Sequence, residues 1–590
     1  MSCDKLVFDL SQEIEGSPNV FVKKDWLNIL DNQNQNYSSN HSVIDTSQLS
    51  NSNKYMSYRE AYLMMPLLLT VSTAAGQFTP ATANASADYC VGLKNWFGTM
   101  IHSFTVDYMG TTIIQQTPFV NMWNNFKLMT SLSWNDVITQ GSTIGFYPDD
   151  PLCFGFIRTG DAPNAFGQGV FNNMDDPCNA VVPIGVADRF NNYNFAQGNI
   201  GFAKRQQYIN FDLAGAIGIG ATYASLIPLQ SVNNLWKSYI FNKTNNVAGG
   251  IMEIAISATV YLKHIHSFFA MTPLLKGVFL KITANLNNCV VSTNNIGNPG
   301  AVASMVLNSV AVPVGGVCPL MIASASAVPV AQGASNLGGL AGGVNAATYI
   351  YTLQVGGRTL NAGVANIVGY QPSPLAQSVY LYVPAYTFNP VFEQAYLSSP
   401  IKQIKYTDIY QYQVLNVNAN ATFNNLITNG IANIKSVLIL PFYSSSPNPS
   451  TSGLPVGLPV YQSPYDPCGG GPTSPLCLIT NFNVVISGQN AIYNTERYAF
   501  EQFNNQLYGQ NAVNGGMTDG LTSSLINSLG FEMEYCYYYV NVSRMLPVEE
   551  SVPKSVQIIG QNQSALSVDL FVFVEYGVDI SIDILSGARV

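Results

Sequence analysis

The stretch NATFNNLITNGIANIKSVLILPF, from Asn420 to Phe442, carries two periodicities. Its first part sets Phe423, Leu426, Ile427, Ile431 and Ile434 on one stripe, with Asn420 or Thr422 placed to cap it, and this spacing predicts a short helix. Its last part, KSVLILPF, is a strand with both faces buried, stopped by Pro441. Lys435 is the only charge in the stretch.

That shortage of charge extends along the chain. Charged residues make up 10% of 590, against about a quarter in ordinary globular proteins. Asn, Gln, Ser, Thr and Tyr carry most of the polarity. A surface of amides and phenols is hydrated yet cheap to desolvate, because no full charge is stripped of water, and this favours extensive protein contact. A net charge of -9, a pI near 4.9 and the lack of any Lys/Arg cluster argue against sequence-specific nucleic-acid binding. The nine cysteines are odd in number and scattered, with no CxxC, and read as reduced intracellular thiols. The opening MSCDKLVFDLSQEIEG has acids where a signal peptide needs basic residues and an apolar run, so ordinary secretion is not expected. The best candidate for a membrane span, Leu213 to Leu229, is broken by three Gly and one Pro, and reads as a buried loop or strand. No transmembrane segment is expected.

Up to Lys54 the chain is polar, as in DNQNQNYSSNHS, and reads as an N-terminal arm (1–54) that orders only against neighbours. Beyond it, Met100, His102, Phe104, Val106 and Tyr108 alternate as a strand, and Phe119, Trp123 and Phe126 follow at helical spacing. Ser142 to Asp212 is a long loop rich in Gly, Asn and Asp. Two alternating strands come next, in GIMEIAISATVYLKHIHSFF and VFLKITANLN. Ile282 to Gly357 has no charge at all and reads as an ordered insert with short strands in MVLNSVAVPV and ATYIYTLQV. SVYLYVPAYTF closes a first unit (55–395). The second (396–590) repeats the order of parts: the opening stretch, the strand NFNVVISG, a helix with Phe500, Phe503 and Leu507, and an aromatic strand. It ends with Val578, Ile580, Ile582 and Ile584 alternating with Asp579, Ser581 and Asp583. The whole reads as an all-β chain of two tandem sandwiches, with helices as fillers between strands.

The residues with chemical potential lead to bland readings. His264 and His266 share one face of an expected strand but lack a third metal ligand nearby, and His102 reads as core. DDPLC (Asp149 to Cys153), DDPC (Asp175 to Cys178) and YDPC (Tyr465 to Cys468) pair carboxylate with thiol, yet Asp-Pro is a turn former and the alternating oxygens of a calcium loop are missing. GIGATY, GGLAGG and CGGGP fail as phosphate cradles, and neither GxSxG nor HExxH occurs. Carboxylates brought together from distant loops could hydrolyse glycosides, but Trp26, Trp96, Trp123, Trp134 and Trp236 all lie in the first half and make a thin sugar platform. Tyr535, Tyr537 and Tyr539 read as one face of a packed strand. No catalytic, cofactor-binding or metal residue is assigned, no cofactor is expected, and the chain is not read as an enzyme.

As an ordered set, IKYTDIYQYQVLNV, FNNLITNGIANIKSVLILPF, SPYDPCGGGPTSPLC with NFNVVISG, RYAFEQFNNQLYG, YYYVNVSRMLPVEESVPKSVQI and DLFVFVEYGVDISIDILSG resemble the second half of double jelly-roll major capsid proteins of the polinton-like virus and virophage kind. In the first half, HSFFAMTPLLKGVFLKITANLN and VYLYVPAYTFNPVFEQAYL resemble the same family. The resemblance implies two tandem eight-stranded jelly rolls, a homotrimeric pseudo-hexagonal capsomer, and an icosahedral shell. The partners it implies are neighbouring capsomers with penton and minor capsid proteins. It places the protein in the virion, after synthesis in the host cytoplasm or a virus factory. Two other classes compete: an intracellular carbohydrate-binding or glycoside-hydrolysing sandwich, and a viral scaffold or spike on the same fold.

Overall fold

The computed structural model describes residues 19–73, 88–149, 205–210, 240–242, 252–294, 301–324, 348–356, 378–444, 472–511, 525–543 and 551–589, a few positions inside these ranges excepted. Sixteen strands form two sandwiches of eight. The first contains β1 (Phe21–Leu30), β2 (His41–Asp45), β3 (Tyr62–Thr73), β4 (Ile101–Tyr108), β5 (Thr111–Ile114), β6 (Met252–Tyr261), β7 (Leu280–Leu286) and β8 (Tyr380–Phe388). The second contains β9 (Ile401–Val417), β10 (Thr422–Ile431), β11 (Ile434–Tyr443), β12 (Ile479–Ile486), β13 (Gln489–Asn490), β14 (Tyr538–Asn541), β15 (Lys554–Asn562) and β16 (Val568–Asp583).

In the second sandwich the sheets run β9-β16-β11-β14 and β10-β15-β12-β13. In the first they run β1-β8-β3-β6 and β2-β7-β4-β5. Adding eight to each label of the first sandwich gives the second, strand for strand, and every pair is antiparallel. Each is an eight-stranded jelly roll of two Greek keys, so the chain is a double jelly roll. The charge-free insert lies between β7 and β8. Its strands Cys289–Asn294, Ala301–Leu307, Val310–Val312 and Thr348–Val355 extend the β3 sheet, the last pairing with Leu67 to Thr73. Asp88–Leu93, Gln206–Asn210 and Leu320–Ser324 form a separate three-stranded sheet.

The structure corrects two sequence expectations. Asn420 to Ile434 is no helix. Thr422 to Ile431 is strand β10, paired with β15, and the chain crosses to the other sheet through Ala432 and Asn433, whose φ of 53° is left-handed. Two register shifts, between Leu426 and Thr428 and between Thr428 and Ile431, break the two-residue alternation and imitate helical spacing. Phe423 and Ile427 face the core, while Leu426 is exposed. Phe423 lies opposite Gly560, where a Cβ would come within 2.6 Å of its ring, so the aromatic ring covers the gap that glycine leaves in β15. The polar arm is also corrected. Its segments Phe21–Leu30 and His41–Asp45 are β1 and β2, paired with β8 and β7, and Asp31 receives the Ser42 hydroxyl at 3.1 Å inside the fold. Their polarity reflects position: β1 is a sheet edge and mostly exposed.

Burial patterns follow the layers. β15 alternates buried and half-buried residues along its length, as a sheet with one wet face requires. In β11 every residue from Ser436 to Phe442 is buried, so the sheet containing it is covered on both sides.

Because β1 and β2 complete both sheets of the first sandwich, deleting Met1 to Lys54 should abolish its folding rather than merely impair assembly. The truncated chain is expected to aggregate or to lose protease resistance between Tyr55 and Phe388. A soluble, protease-resistant truncation would overturn this.

Candidate functional site: the seam between the sandwiches

The connection between β5 and β6 carries helix α1 (Val120–Ser131), followed by α2 (Trp134–Ile144). Ser133 and Asp136 form a reciprocal capping box at the start of α2, which ends at Gly145 with φ 69°, where a Cβ would strike the Phe97 ring. Helix α1 is buried almost all round, Asn121, Asn124 and Asn125 included, because it lies between two β layers rather than on a surface. One side faces its own sandwich. The other lies against the outer face of the β9-β16-β11-β14 sheet, where Phe119 meets Phe571 edge-on at 5.1 Å, Trp123 meets Phe573 at 6.2 Å, and Phe126 meets Tyr537 and Tyr539 at 5.4 and 5.3 Å.

Polar contacts border these aromatics. The Tyr406 hydroxyl donates to the Ile113 carbonyl at 2.9 Å, Thr117 to Ile409 at 3.2 Å, and Tyr108 to Gly587 at 2.9 Å. After β6 come two short helices, α3 (Leu262–Ile265) and α4 (Ser267–Met271), which bring His264, His266 and Ser267 to the seam. Ser267 donates to the Thr407 carbonyl at 2.5 Å. His266 accepts the Phe268 N–H at Nδ1 (3.2 Å), so its Nε2–H donates to Asp408 Oδ1 at 3.3 Å. The expectation that His264 and His266 share a strand face is therefore corrected: one lies on α3 and the other caps α4.

Glu575 on β16 is buried and accepts from Ser436 at 2.6 Å, with Lys127 Nζ at 3.4 Å. Burial opposes its ionisation, but the Lys127 charge and the hydrogen bonds from Ser436, Thr407 and Lys127 outweigh it, and the carboxyl is held below its ordinary value. Burial, reinforced by the neighbouring Lys263 charge, pushes the His264 imidazole down to about 4. Burial also lowers His102.

Of the other residues singled out by sequence, Tyr535, Tyr537 and Tyr539 are buried, but only Tyr539 lies on strand β14, the other two preceding it. Asp149 is ion-paired to the buried guanidinium of Arg205, which also donates to the Leu93 carbonyl at 3.0 Å. Cys153, DDPC, YDPC, Trp236 and Leu213 to Leu229 lie outside the described residues. Among the described residues no three His, Cys, Asp or Glu side chains are grouped to hold a metal ion, and no helix is long and apolar enough to cross a membrane. Sequence reasoning missed Lys127, Asp408 and Glu575. Lys127 and Glu575 were signalled only as single charges within apolar runs, and Asp408, three residues from Lys405, by nothing local.

No protein-family model and no curated protein sequence matches the chain. Solved structures do. A chain of the Sputnik virophage structure is 11% identical and covers 97% of this chain and 88% of its own length, at a TM-score of 0.47. The mavirus major capsid protein is 10% identical over 98% and 92%, at 0.42. The Faustovirus major capsid protein is 9% identical over 98% and 94%, at 0.41. The fold assignment rests on the sheet order of this chain.

Two outcomes test the seam. Phe573→Ala should lower stability by about 3 to 5 kcal/mol and split a single thermal transition into two as the sandwiches uncouple. For pH, a group whose folded pKa is depressed stabilises the fold above its unfolded pKa. His264 takes up its proton near 6.5 when unfolded, so stability should be flat above about pH 7 and fall by at most about 2 kcal/mol between 6.5 and 5. Glu575 adds its loss as pH falls from the ordinary carboxylate value downward. His264→Phe should flatten the higher window, leaving the smaller slope of His102. An unchanged slope would refute the assignment.

Proposed function

We propose that this chain is a major capsid protein whose double jelly roll forms three-copy, pseudo-hexagonal capsomers that tile an icosahedral shell in the virion. The observation that carries the reading is the strand-for-strand repeat of one jelly roll, side by side with itself and locked by a buried seam. Three such chains about a threefold axis place six nearly equivalent sandwiches in a ring, and closed symmetry lets one modest contact recur many times.

The exposed surface supports this. The first strand of each jelly roll, β1 and β9, is a sheet edge. Both edges carry exposed apolar side chains, Val22 and Trp26 on β1 and Ile401 and Leu415 on β9, between about half and two thirds exposed. In so weakly charged a chain such side chains mark surfaces for other protein. Neighbouring capsomers, with penton and minor capsid proteins closing the shell, are the partners this role requires. The ordered resemblance of segments in both halves points the same way.

Light scattering with negative-stain imaging of the purified chain tests the proposal. Particles of about three times 63.9 kDa with a six-lobed outline are expected, and Leu415→Asp should shift them toward monomers without changing the thermal transition of the monomer. A chain that stays monomeric at high concentration would overturn the reading.

A further inference from the structure

A cavity of about 230 Å³ opens at the seam, lined by Trp123, Lys127, Lys263, His264, Ser267 and Glu575 among others. We propose that it binds a small oxyanion, such as sulfate, phosphate or a short carboxylate, seated between the ammonium groups of Lys127 and Lys263 and beside the His264 ring.

The charge arrangement carries the proposal. Two lysines, Lys127 and Lys263, line the cavity against one acidic residue, Glu575, which Ser436 and Lys127 already engage. Lys127 rests over the Trp123 ring at 4.9 Å, and Lys263 over the Tyr261 ring at 5.4 Å. Among the described residues no carboxylate lies within ion-pair distance of Lys263. Tyr261 also meets His264 edge-on at 6.0 Å, which holds the imidazole next to this charge. The other ionisable groups are accounted for. His266 donates to Asp408, and Asp408 also accepts the Ile409 N–H at 2.8 Å and the Tyr576 hydroxyl at 3.3 Å, so its charge is satisfied behind His266 and does not face the cavity. What remains is a partly enclosed space, large enough for several waters, with two lysines against one acidic residue on its wall.

Such a site is coupled to protons. With the cavity empty of an anion, burial and Lys263 keep the imidazole of His264 neutral. An anion beside it reverses the sign of the local field and favours the imidazolium, so binding takes up a proton and tightens as pH falls. The anion then bridges Lys127 on α1 and Lys263 on α3, and its binding offsets the acid loss that His264 brings to the seam.

Calorimetric titration of the full chain with sulfate, whose charge is constant from pH 7.5 to 5.5, tests this at matched ionic strength. Saturable binding that tightens toward pH 5.5, with a buffer-dependent heat reporting proton uptake, is expected. Lys263→Met, at an exposed position, should weaken binding about tenfold, the equivalent of one partly screened charge. Lys263→Arg should restore it. His264→Phe should lose the tightening toward pH 5.5 and the buffer-dependent heat. No saturable heat, or equal affinity in Lys263→Met, would overturn the proposal.

Discussion

Everything in this molecule depends on covering the outer face of the β9-β16-β11-β14 sheet. A jelly roll alone needs only one buried face per sheet, and β15 shows how that reads, alternating buried and half-buried residues. β11 and β16 are apolar on both faces, with Leu438, Ile439, Leu440, Phe571, Val572 and Phe573 all buried, and Tyr537 and Tyr539 are buried beside them. Left uncovered, these side chains would form an apolar patch far larger than a soluble surface tolerates. Helix α1 covers it. The first sandwich thus serves as the second layer of the second sandwich, and the two halves fold as dependent parts of one body.

The same constraint explains the sparse and peculiar charge. A cation and an anion inside a seam persist only as a hydrogen-bonded set, because an unpaired buried charge costs several kcal/mol. Lys127 with Glu575, Ser436 and Thr407 is such a set, and the hydrogen bonds of His266 and Tyr576 satisfy a second buried side chain, Asp408; the Lys127 and His266 contacts each bridge the halves. They add direction to an otherwise apolar contact. Aromatic packing fixes how much surface is buried, and these pairs select one alignment of helix on sheet.

Much of this was legible in the sequence, for reasons that can be stated. The strands Ile101–Tyr108, Leu280–Leu286 and Val568–Asp583 alternate, α1 and the helix Phe500–Asn511 show their spacing, and the charge-free insert contains its short strands. The repeat of strand then helix in both halves was visible as order. Besides the strand expected through His264 and His266, which is broken into α3 and α4, two readings failed for physical causes. β10 is bulged, and bulges turn a period of two into something near a helical period. β1 and β2 looked like an arm because an edge strand exposes much of its length and needs few apolar residues. The seam was illegible because its partners lie far apart in sequence, Lys127 with Glu575 and His266 with Asp408. No local pattern encodes such a pairing.

The pairing of β1 with β8 has a consequence for synthesis. Phe21 lies opposite Phe388, so the first strand leaves the ribosome long before its partner exists. At about 5 to 20 residues per second the wait is on the order of twenty seconds to a minute, during which Trp26, Ile29 and the apolar row of β3 have no completed sheet to join. Such late closure is slow by its nature, because the loop must be ordered before the contact rewards it. The lysines at Lys23 and Lys24 then have a role apart from the finished fold: charge on a waiting edge discourages one nascent chain from pairing with another.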